Sequence, residues 1–102
     1  MAVYYIDALD GVATVKVANP QKIHDIAFRG DGSVSSGVME IKGRKPGSDT
    51  YETIPDADAL DLSLPESVQF YGSADSFEFT ISGFSGVANK IIITDSEGEG
   101  HE

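Results

Sequence analysis

His24 and His101 are the only histidines in the chain, and each has carboxylates close by in sequence, the usual starting material for acid–base or metal chemistry. His24 is followed directly by Asp25. Adjacent residues of a strand point to opposite faces, so these two cannot form a dyad with each other. No nucleophile stands at a recognised spacing, and His24 reads as a satisfied or half-exposed strand residue. His101 with Glu99 and Glu102 offers metal ligands without a fixed geometry, and specific binding is not expected there. Asp56, Asp58 and Asp61 resemble a calcium loop at first sight, but DADALD lacks the glycine and the third Asp or Asn of that loop. They read as solvated acids beside an edge strand. Gly83-Phe84-Ser85-Gly86 misses the spacing of a nucleophile elbow. The expectation is a protein that is not an enzyme and uses no cofactor and no metal.

Two sets of residues are candidates for binding instead. Lys42, Arg44 and Lys45 hold three of the seven Lys and Arg within GRKPGSDTYETI and the residue before it. In so acidic a chain they read first as a solvated turn, with Lys42 and Arg44 meeting Glu52 or other acids across a hairpin, and second as an interface. Tyr4 and Tyr5 are neighbours and must face opposite ways, so one is exposed on the first strand, a contact or swapping edge. Tyr71 and Phe84, with loop acids, are the ligand contacts of an alternative reading, a carbohydrate- or receptor-binding module.

The elements that position these residues follow a period of two, broken by turn residues every six to twelve positions. AVYYI (2–6), VATVKVA (12–18), KIHDIAF (22–28) and GVMEIKGR (37–44) read as strands. Lys45-Pro46-Gly47-Ser48-Asp49 turns the chain into TYETI (50–54), a hairpin. A short edge strand is expected between Pro55 and Pro65, where Leu60, Leu62 and Leu64 alternate with polar residues. SVQFYG (67–72), SFEFTIS (76–82) and KIIITD (90–95) complete the set, the last apolar on both faces and therefore central. The fold class is all-β: a single antiparallel β-sandwich or jelly-roll-like domain of about eight strands over residues 1–94. Residues 95–102, DSEGEGHE, form an acidic tail expected to be disordered.

Composition narrows the partners. The formal net charge of −10 argues against nucleic acid, whose phosphates are gripped by Lys and Arg. The longest aliphatic run is Ile91-Ile92-Ile93, far short of the ~20 residues of a membrane span. MAVYYIDALDG has neither the basic nor the long apolar region of a secretory signal. Cysteine is absent, so disulfide and thiolate chemistry are excluded.

From Ser36 to Asp95 the order of features resembles the small accessory virion proteins of tailed bacteriophages, β-sandwiches of capsid decoration, head-fibre or tail-associated type. The matching stretches are Gly37-Val38-Met39-Glu40-Ile41-Lys42-Gly43-Arg44, the Pro-Gly hairpin, Tyr51-Glu52-Thr53-Ile54, Phe77-Glu78-Phe79-Thr80-Ile81-Ser82-Gly83 and Ile91-Ile92-Ile93-Thr94. The resemblance implies a structural protein of the virion, synthesised in the host cytoplasm, that self-associates, often as a trimer, and docks on a major capsid or tail protein. It also implies that the strands around Tyr51 pack the core rather than bind anything.

Overall fold

The computed structural model describes residues 2–17, 23–64, 66–71 and 74–97. Within them the chain forms nine strands and no helix: β1 (Ala2–Asp7), β2 (Gly11–Lys16), β3 (Ile23–Gly30), β4 (Val34–Arg44), β5 (Glu52–Thr53), β6 (Leu60–Asp61), β7 (Glu66–Tyr71), β8 (Ser76–Gly86) and β9 (Lys90–Glu97). Two antiparallel sheets face each other, one in the order β1-β9-β3-β7, the other β2-β8-β4-β5 with β6 also on β4. The all-β sandwich expected from the alternation is the fold observed.

The alternation explains which sheet face is dry. Ile26 and Phe28 of β3 and Ile91 and Ile93 of β9 turn inward from the first sheet, and Met39, Ile41, Phe77, Phe79 and Ile81 from the second. The residues between them stay at the surface. β9 lies between β1 and β3, as its apolar character on both faces implied. It also runs on through Asp95, Ser96 and Glu97, past the point where the sequence places the start of the tail. Residues 98–102, including His101, lie outside the described residues.

The long strands β4 and β8 carry the second sheet, and their pairing is irregular between Val34 and Val38. Gly86 makes that irregularity possible. Its φ is 153°, and an added Cβ would sit 2.5 Å from the Ser33 carbonyl oxygen and 2.9 Å from the Val34 Cα, where there is backbone and no room.

Between Pro55 and Pro65 the alternation holds only in part. Leu60 and Leu62 are buried, but Leu64 is exposed. Asp61 is the reason: its Oδ1 accepts hydrogen bonds from the Ser63 amide at 2.9 Å and the Ser63 hydroxyl at 2.6 Å, which turns the chain out of the strand after two residues.

Candidate binding groove and assembly edge

The basic hairpin forms as expected at its tip, where the Ser48 amide donates to the Lys45 carbonyl at 3.0 Å and Gly47 takes a φ of 83°. Its pairing differs from the expected one. Glu52 stands opposite Gly43, and Thr53 opposite Lys42, so Glu52 is not the acid that meets the bases across the hairpin. The nearest acid to the Lys42 amine is Glu40, 4.0 Å away on the same strand, and Glu40 accepts a 2.8 Å hydrogen bond from Thr53. Lys45 is exposed at the hairpin's end.

Arg44 finds its partner outside the hairpin. β8 pairs with β4 so that Ser76 lies opposite Arg44, and this brings the preceding residue, Asp75, to 3.2 Å from the guanidinium Nε. The hydrogen bond and charge of Asp75 hold the Arg44 pKa above its ordinary value. Tyr51 lies beneath the same guanidinium, its ring centre 5.4 Å from Cζ.

A groove of about 370 Å³ opens here on the outer face of the second sheet, between Arg44 and Tyr51 on one side and Thr14 to Lys16 of β2 on the other. Its floor is held by main chain and side chain together. The Asp75 amide donates to the Arg44 carbonyl at 2.9 Å, and the Asp75 carbonyl accepts from the Val17 amide at 2.8 Å, so one residue ties both walls. Ser76 donates its hydroxyl proton to Asp75 at 3.1 Å, which leaves its oxygen to accept from the Tyr51 hydroxyl at 2.9 Å. Strand order adds Lys16 to the basic group: Lys16 and Arg44 both pair with Ser76, from opposite sides. Four of the seven Lys and Arg, namely Lys16, Lys42, Arg44 and Lys45, thus gather at one corner.

The other candidate surface is β1. It is an edge of its sheet, six residues long, with Asp7 at its end as its only charge and neither lysine nor proline within it. Other edges are guarded or short: β2 ends on Lys16, β7 contains Glu66, and β5 has two residues. Tyr4 packs against the core while Tyr5 is 65% exposed, the opposite facing expected of neighbours. Tyr5 and Val3 look outward and pair with Ile92 and Thr94 of β9, and Val3, Tyr5 and Ile92 make a small apolar patch at this edge.

Tyr71 and Phe84 do not share a site. Tyr71 pairs with Ile23 at one end of the first sheet, and its side chain lies outside the described residues. Phe84 is half-buried in the second sheet, at the other end of the sandwich, its amide donating to Asp10 at 2.8 Å. The metal readings place no ligands together either: among the described residues no three His, Asp or Glu side chains form a metal-holding group.

His24 is more buried than its sequence context implied. It is fully inside, with Nδ1 2.9 Å from both carboxylate oxygens of Asp95 and its ring edge-on to Phe77 at 5.4 Å. Sequence neighbours gave no sign of this pair, because Asp95 is 71 residues away and meets His24 only through the pairing of β3 with β9. Asp95 is only 3% exposed, and the pair ties the start of β3 to the end of β9.

No family model matches the chain, and no curated protein does. Among solved structures, a chain in the structure of infectious bursal disease virus Gx strain is similar at a TM-score of 0.33 and 12% identity, over 98% of this chain and 34% of that one. This chain therefore spans about a third of the length of that one. A likeness so slight supports neither fold nor function, and the resemblance to tailed-phage proteins stands as a proposal.

Proposed function

We propose that this protein is a non-enzymatic structural protein of a bacteriophage virion, a capsid decoration protein that self-associates and docks on the capsid lattice. The observation that carries the self-association is the unguarded β1 edge, with Val3 and Tyr5 exposed beside it. An open edge offers a row of main-chain donors and acceptors to another strand, and the outward side chains add apolar area to the same contact. Many copies on a lattice convert a modest contact into a firm one. The buried His–Asp pair and the shallow groove are in keeping with a body built for rigidity.

Two measurements test the reading. Sedimentation of the purified protein should show an oligomer that V3K/Y5K reduces to monomers without loss of folding, since both side chains point to solvent. Purified virions from the source of the chain should contain it in many copies. A wild-type protein that stays monomeric at millimolar concentration removes the self-association, and virions without it remove the placement.

A further inference from the structure

The groove between Lys16 and Arg44 has the geometry of a carboxylate receptor, and the same chain carries a fixed pair of carboxylates elsewhere. Asp75 engages only the Nε of Arg44, and no protein acceptor among the described residues takes its terminal nitrogens. That terminal edge is the one that grips carboxylates in parallel hydrogen bonds. Lys16 stands two strands away, roughly 10 Å between Cα atoms, and has no ion pair among the described residues. The network of Tyr51, Ser76 and Asp75 fixes the floor between them, so little ordering is left for binding to pay.

Asp56 and Asp58 supply the complement. Both are exposed, and the residue between them, Ala57, is completely buried. Ala57 is pinned in two directions: its amide donates to the Ile54 carbonyl at 2.9 Å and its carbonyl accepts from the Ile41 amide at 2.9 Å. Asp56 adopts a φ of 67°, a conformation that Asp and Asn tolerate better than other side chains. The result is a rigid acidic prong on the edge of β4 not covered by β8. Among the described residues neither carboxylate has a hydrogen-bond or ion-pair partner, unlike Asp61 beside them, which is occupied by Ser63.

We infer that the groove takes the Asp56–Asp58 prong of a second copy of this chain, with the carboxylates on Arg44 and Lys16. Charge complementarity selects this occupant: the chain's basic corner is concentrated at the groove, while its net charge of −10 repels approach by most other orientations of a like molecule. Groove and prong are different surfaces, so the contact runs head to tail and either closes a ring or propagates along a lattice. It rests on the self-association proposed above but uses a surface separate from the β1 edge.

The test uses two full-length variants that each lose one half of the contact. D56N/D58K keeps the groove, with Asn retained at the positive φ, and K16E/R44E keeps the prong. Amide spectra of isotope-labelled D56N/D58K should shift at Lys16, Arg44, Tyr51 and Ser76 when unlabelled K16E/R44E is added. Unlabelled D56N/D58K, which lacks the prong, should bind there at least about tenfold more weakly. The inference is overturned if the two titrations give the same groove shifts or none. Shifts confined to Val3–Tyr5 would leave the edge contact standing and remove this one. Groove shifts evoked by glucuronate but not by the second copy would assign the groove to a sugar acid and equally overturn it.

Discussion

Two side-chain pairs of nearly equal length, one a histidine with an aspartate and the other an arginine with an aspartate, sit in opposite surroundings. His24 and Asp95 meet at 2.9 Å with 0% and 3% of their side chains exposed, and Arg44 and Asp75 meet at 3.2 Å with 36% and 38% exposed. Contact distance alone would rank them together. Solvent separates them: the inner pair has no water to replace a lost partner, whereas the outer pair exchanges one set of hydrogen bonds for another at little cost. The inner pair therefore belongs to the fold, and the outer pair is available for binding.

The largest effect follows from removing one member of the inner pair. Asp95→Ala leaves His24 Nδ1 inside without its carboxylate and should cost about 1–3 kcal/mol, lowering Tm by about 5 °C or more for a domain of this size. Differential scanning calorimetry measures it. His24→Leu/Asp95→Leu sharpens the point, because replacing both members by apolar groups removes the unsatisfied polar atom and should recover most of the loss. A double variant as unstable as Asp95→Ala would show that packing around Phe77, rather than the pair, sets the cost.

A smaller effect is expected from carboxylates that hold turns at the surface. Hydrogen bonds from the Lys90 and then the Asn89 amide lower the Asp31 pKa below its ordinary 3.8. The Ser63 hydroxyl and then its amide do the same for Asp61. A carboxyl whose pKa is lower in the folded chain adds stability that is complete above 3.8 and is lost as pH falls through the lowered folded value. Asp31→Asn should therefore flatten the decline in urea midpoint between about pH 5 and pH 3. An acid limb identical to that of the wild type would assign the sensitivity to other groups.

The contrast between the pairs also marks where sequence reasoning succeeds and where it stops. The alternation of Phe77, Phe79 and Ile81 against Glu78 and Thr80 is local, and β8 formed as that pattern requires. The three isoleucines of β9 announced a central strand, and it lies between two neighbours, with Ile91 and Ile93 buried and Ile92 left partly exposed on the outer face. The partner of Asp95 was not legible, since the residues after it, Ser96 to Gly100, are Ser, Glu and Gly alone and read as a polar tail. The period of two turns Asp95 inward with Ile91 and Ile93, but only the placement of β9 beside β3 sets it against His24. The groove was half legible for the same reason. Arg44 and Tyr51 lie in one hairpin, but Lys16 and Asp75 join them through β8 standing between β2 and β4. Strand order, not composition, assembles both pairs.

The smallest effect lies at the outer pair itself. Asp75→Asn retains an oxygen to accept from Arg44 Nε and Ser76, and it leaves the main-chain bonds to the Arg44 carbonyl and the Val17 amide untouched. Only the charge is lost, at a site more than a third exposed, so the change in unfolding free energy should stay below about 1 kcal/mol and shrink further in high salt. Equilibrium urea unfolding at two ionic strengths measures it. A loss above about 2 kcal/mol would place Asp75 with Asp95 among the groups that hold the sandwich together. The groove would then be a structural joint, and the distinction between an inner pair that stabilises and an outer pair that binds would fail.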